Sequence, residues 1–119
     1  MNSDGRGIVL LSVAVYSLLK CNDPDKPLTL YIAHDRSFED SDGPKEIRDI
    51  VARFPFAEVV FLDFDPLAAR HAELFRSDKW SPLLWAFPLC TEFLPDDVHG
   101  NLVYLDIDML IRKDLGELF

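Results

Sequence analysis

The chain has 119 residues, 12 basic and 21 acidic, with a formal net charge of −9; 49% of its residues are apolar and 28% charged. These are the proportions of a folded chain the length of one ordinary domain, and they exclude a disordered one. The acidic balance argues against nucleic acid and anionic membranes as general partners, because both are held through basic patches. It leaves room for an anionic substrate held through a divalent metal.

Residues Gly7 to Lys20 read as a helix, with Ile8, Leu11, Val15, Leu18 and Leu19 at helical spacing. Asn22 to Pro27 is a turn rich in Asp and Pro, and Leu28 to Ala33 (LTLYIA) a strand ending in His34 and Asp35. Arg36 to Gly43 reads as a polar loop. Pro44 opens a helix through Phe54 with Ile47, Ile50, Val51 and Phe54 on one face. Ala57 to Phe64 (AEVVFLDF) is continuous enough for a strand buried on both faces, and Pro66 to Phe75 reads as a short helix. Ser81 to Leu94 is expected to be helical and kinked at Pro88. Leu102 to Ile107 (LVYLDI) reads as a third buried strand, and Lys113 to Phe119 as one helical turn. Alternating helix and strand predicts an α/β layered fold with three mainly parallel strands side by side.

Cys21 and Cys90 lie in different segments with no CxxC spacing and read as idle thiols. The apolar run from Ile8 to Leu19 falls short of the roughly 20 residues that span a bilayer. Asp4 precedes that run, and no small-residue cleavage site follows it. The expectation is a soluble, cytoplasmic chain.

Ligands of parallel sheets sit at the carboxyl ends of the strands. Asp35, Asp63, Asp65, Asp106 and Asp108 fall at those expected ends. Two Asp-x-Asp pairs compete. In an extended strand, residues two apart share a side and lie roughly 7 Å apart, so such a pair can share one hard cation. Asp63 and Asp65 precede Pro66 and fit a helix-start or turn role, accepting backbone N–H bonds. Asp106 and Asp108 precede the apolar Met109, Leu110 and Ile111 and cap no obvious helix. They are the stronger metal and diphosphate candidates, with Mn²⁺ or Mg²⁺ as the expected ion. His34 could line a pocket; His71 and His99 read as polar contacts, and Trp80 and Trp85 as packing residues.

The segment LVYLDIDMLIRKDLGELF, residues 102–119, resembles the Asp-x-Asp segment of glycosyltransferase family 8, the retaining transferases that use nucleotide sugars. Its Tyr-Leu-Asp-x-Asp, three apolar positions and closing Asp-Leu-x-Glu-Leu-aromatic are all present, through Asp114, Leu115, Glu117, Leu118 and Phe119. VAVYSLLKCN, LTLYIAHDRSF, AEVVFLDFD and EFLPDD resemble further family segments in the same order. The resemblance implies that residues 1–119 form the N-terminal, nucleotide-sugar-binding half of a longer domain. The implied fold is a truncated Rossmann-like (GT-A) sheet of mostly parallel strands with helices on both faces. Asp106 would contact the donor ribose and the metal, and Asp108 the metal and the diphosphate. Asp4 would match the residue that receives the nucleotide base, although the family's aromatic partner three residues on is Gly7 here. The family's donor-contacting Arg falls on Phe87, and nothing in the chain matches its third metal ligand, a His.

The implied reaction is transfer of a hexose from a UDP-sugar to a saccharide or lipopolysaccharide acceptor with retention. Peripheral membrane association would come through regions outside the chain. Two alternatives stand beside it. One is an inactive or partner-dependent remnant of such an enzyme. The other is a phosphatase of the haloacid-dehalogenase type built on VVFLDFDPL, although Leu67 stands where that pattern wants Thr or Val. A sheet lacking part of its domain is also expected to leave apolar surface uncovered.

Overall fold

The computed structural model describes residues 6–75, 83 and 86–119. It shows a small α/β protein with a two-stranded parallel sheet and several helices. Helix α1 (Arg6–Cys21) buries Leu11, Val15, Leu18 and Leu19, the stripe its apolar spacing sets. A turn leads into strand β1 (Leu28–His34). Helices α2 (Arg36–Glu39) and α3 (Gly43–Val51) form the crossover to strand β2 (Ala57–Asp63). The strands pair in parallel with Leu28 opposite Ala57 and His34 opposite Asp63.

This register sorts the side chains. Leu28, Leu30 and Ile32 of β1 and Ala57, Val59 and Phe61 of β2 share one face. They pack with Leu11, Val15 and Leu19 of α1, with Ile47 and Val51 of α3, and with Phe38 of α2. The opposite face is covered more thinly. Beyond β2 come α4 (Asp65–Arg70), a 3₁₀ turn at Ala72–Phe75, and α5 (Cys90–Phe93). There Phe64, Leu67 and Ala86 are buried, with Ala33, Leu89 and Phe93 against them, and the Phe64 and Phe93 rings meet edge to face at 5.5 Å. A last 3₁₀ turn spans Gly116–Leu118, within the single helical turn expected near the C-terminal end.

Four expectations need correction. Residues 102–107 form no strand, and among the described residues the sheet has two strands rather than three. The run is apolar enough for a strand, but its backbone makes no ladder bond to β1 or β2, and a strand exists only by pairing. For the same reason β2 is half-buried rather than enclosed on both faces. The loop expected at 36–43 contains α2, because Asp35 caps it: its carboxylate accepts from the Phe38 amide at 3.1 Å and the Ser37 hydroxyl at 2.6 Å. The helix expected over 81–94 is reduced, within the described residues, to α5 after a turn at 86–89, beginning past Pro88. Trp80 and Trp85 lie outside the described residues.

One glycine is required by a close approach. A Cβ on Gly43 would lie 2.7 Å from Phe38 Cδ2 and closer still to Cε2, and Phe38 is among the most deeply buried side chains. No helix among the described residues is long and apolar enough to cross a membrane.

Candidate functional site

Two acidic groups emerge, and they differ in what their oxygens already do. In the first, at the carboxyl ends of β1 and β2, the carboxylates are engaged by backbone. Asp63 accepts the N–H of Asp65 at 3.0 Å, and Asp65 accepts the N–H of Arg36 at 3.0 Å. These bonds tie the start of α4 to the start of α2, in keeping with the helix-start and turn role read from the sequence. Burial alone would push the Asp35 carboxyl up, but hydrogen bonds from the Ser37 hydroxyl and the Phe38 amide outweigh it and hold it below the usual carboxylate range.

His34 belongs to this structural group. It is buried, its Nδ1 lies 3.1 Å from the Asp35 carbonyl, and its ring sits against Phe38 and Phe61 at 5.6 and 6.1 Å. It is packed into the core, and it is not among the residues that line the cavity beside β1 described below. The Arg48 guanidinium lies 4.8 Å above the Phe61 ring on the same side of the sheet.

The second group is Asp106 and Asp108. Both are exposed, and the chain turns at Ile107 and Asp108. The pair is therefore displayed by a surface turn, where the sequence led one to expect the end of an extended strand. Beside it, the ring of Tyr104 packs on that of Phe87 with centroids 4.9 Å apart. Burial pushes the Tyr104 hydroxyl above its ordinary range, and the charge of Asp106 and a hydrogen bond to it push the same way. The sequence places Phe87 only as a departure from the family pattern, and Tyr104 only as the Tyr of its Tyr-Leu-Asp-x-Asp motif, with no role of its own. The i, i+2 spacing of Tyr104 and Asp106 was the available signal.

Asp106 and Asp108 supply hard oxygen donors, and among the described residues no third His, Cys, Asp or Glu joins them to make a metal cage. Two carboxylates fit Mg²⁺ or Mn²⁺ in the manner of a cation that keeps waters and phosphate oxygens in its remaining positions. Asp4, the expected base-contacting residue, lies outside the described residues. His71 donates to Glu92 at 2.8 Å, joining the end of α4 to α5, and His99 stands at a cavity rim.

That cavity, of about 680 Å³, runs beside β1 between residues 27–33 and residues 97–107, and Asp106 is part of its wall. Ile111, also in its wall, is fastened to α1. The Ile111 amide donates to the Ser17 hydroxyl at 2.9 Å, and its carbonyl accepts from the Cys21 thiol at 3.4 Å. Cys21 and Cys90 are free thiols, as expected, but Cys21 is engaged rather than idle.

Compared with protein-family models, with curated proteins and with solved structures, the chain matches none.

Proposed function

We propose that the chain is the N-terminal, donor-binding half of a glycosyltransferase resembling family 8, with a Rossmann-like GT-A sheet. It would bind a UDP-sugar through Asp106 and Asp108 and serve hexose transfer to a saccharide or lipopolysaccharide acceptor with retention. The observation that carries this reading is the contrast between the two acidic groups. Asp63 and Asp65 accept hydrogen bonds from backbone amides, whereas the Asp106–Asp108 turn presents two exposed carboxylates within the segment that has the extended family resemblance.

The bound cation, Mn²⁺ or Mg²⁺, would neutralise the diphosphate against a chain of charge −9. The chain's own residues hold that cation and fix the turn. Asp108 would supply a charged oxygen and Asp106, beside Tyr104, a second one, and the Phe87–Tyr104 pair offers an apolar flank. Against a phosphatase nucleophile at Asp63 stands Leu67, where that pattern wants Thr or Val. Catalysis by this chain alone is not expected, because no acceptor-binding or third metal-binding residue is matched in it.

The test is calorimetric titration of UDP with and without Mn²⁺. Weak, Mn²⁺-dependent binding is expected. Asp108→Asn should weaken it about tenfold or more, since ligand charge tunes hard-cation sites over decades. Asp65→Asn should leave it unchanged. Loss of binding in Asp65→Asn with retention in Asp108→Asn would reverse the assignment.

A further inference from the structure

Helix α1 turns one apolar stripe inwards and leaves a second outside. Val9, Val13 and Tyr16, spaced by four and three positions, are exposed and share one side of the helix. With Ile50 of α3 and with Leu110 they line a shallow apolar groove. Its two ends differ in charge. Glu46 and Arg53, both exposed, also line it and lie seven positions apart, about two helical turns. The Tyr16 ring meets the Phe54 ring at 6.0 Å, so Arg53 marks the Tyr16 end and Glu46 the Val9 end. The neighbouring turns extend the pattern: Lys20 follows Tyr16 by one turn, Asp42 precedes Glu46 by one turn, and both are exposed. Among the described residues neither Glu46 nor Arg53 is ion-paired.

We infer that this groove is the contact surface of a two-fold dimer, in which α1 of one copy lies antiparallel to α1 of the other. An axis passing near Val13 and Ile50 sets Val9 against the second copy's Tyr16 and Val13 against its own counterpart. The same rotation brings Glu46 to the second copy's Arg53, and does so twice. A two-fold contact must be self-complementary, and a groove acidic at one end and basic at the other meets that condition although the whole chain carries −9. A partner of a single charge would match only half of it. The chain's own remaining sequence fits the groove less well. Residues 1–5, MNSDG, hold one apolar side chain. Leu83 and Ala86, which adjoin residues 84–85, line the cavity beside β1, as do Leu115 and Phe119 near the end of the chain; none of the four lines the groove. The inference does not rest on the nucleotide-sugar reading, because Asp106 and Asp108 lie outside the groove.

The experiment is sedimentation equilibrium of the full chain, as wild type and as two charge variants. Wild type should pass from monomer to dimer as concentration rises and stop there, because a two-fold contact closes on itself. Glu46→Arg and Arg53→Glu should each raise the dimer dissociation constant about tenfold or more, since each sets two like-charge contacts where two opposite ones stood. The two substitutions move the net charge in opposite directions, so a general charge effect would strengthen one dimer and weaken the other. An equimolar mixture of the two variants should recover the wild-type constant as a heterodimer, because opposite charges then face each other at both ends. That recovery also shows that neither variant is misfolded. A wild type that is monomeric at every concentration overturns the inference and assigns the groove to other sequence or another protein. Assemblies that grow past the dimer overturn it too, as does weakening in only one variant or in neither, or a mixture that recovers nothing.

Discussion

Phe38 shows how much one side chain decides in this molecule. Its ring is buried where α2, α3 and both strands converge, 5.6 Å from His34 and 5.8 Å from Phe61, and it sets the identity of residue 43 by leaving no room for a Cβ. Gly43→Ala should cost about 1–3 kcal/mol by overpacking, and Phe38→Ala about 3–5 kcal/mol by cavity formation, both read from urea midpoints at constant m. Similar losses for Gly43→Ala in wild type and in the Phe38→Ala background would show that the clash is not the cause. Tyr104 and Asp106 offer a second residue-scale test. Ultraviolet titration should find Tyr104 ionising above the ordinary tyrosine range, and Asp106→Asn should bring it down by removing the charge and altering the hydrogen bond, with the contribution of burial left in place.

At the scale of elements, the caps decide what the apolar pattern leaves open. Asp35 holds α2 in place, and its carboxyl titrates below the usual range in the folded chain. A group depressed on folding contributes stability that is present above its unfolded value and is lost as the pH falls through its folded value. Asp35→Ala should therefore cost about 1 kcal/mol at neutral pH and progressively less as the solution is acidified through the carboxylate range. Urea unfolding across that range checks the sign. A pH-independent loss would leave only packing or propensity as the cause.

The elements also show what the sequence could and could not announce. Helix α1, strands β1 and β2 and most of α3 are legible because their periodicity coincides with what they bury. Helix α2 was not, since its polar residues look like a loop until Asp35 is recognised as a cap. Residues 102–107 misled in the other direction: Leu102, Val103, Tyr104 and Leu105 have strand composition, but composition carries no information on whether a neighbour is present to pair with. The contrast between the acidic pairs was legible in part. Pro66 after Asp65 signalled a helix start, yet the bond from the Arg36 amide to Asp65 depends on the register of two strands and lay beyond local reading.

Across the whole molecule, apolar surface is left outside the core. Val9, Val13, Tyr16 and Leu110 are exposed on and beside α1, Val9 and Leu110 by more than 60%. Exposed patches of this kind drive association. Sedimentation velocity should show mass increasing with concentration, and Val13→Glu should shift the distribution towards monomer without changing the helical signal. A monomer at every concentration in both proteins would show that the patch is too small or too dispersed to act.

The fastening of Ile111 to Ser17 and Cys21 has a consequence for how the chain is made. The partners are separated by 94 and 90 positions. On a ribosome adding about 5–20 residues per second, Cys21 emerges roughly 5–20 s before Ile111 does. Throughout that interval the hydroxyl and thiol on the last turns of α1 lack their final partner, and the apolar stripe beside them stays open to chaperones and thiol reagents alike. Closure of so long a loop carries its entropic cost before any contact offsets it. The last turns of α1 should therefore be among the latest regions to gain protection during synthesis, although they are among the earliest to be translated. Pulse alkylation of Cys21 on stalled nascent chains of increasing length should show its reactivity falling only once residue 111 has cleared the exit tunnel.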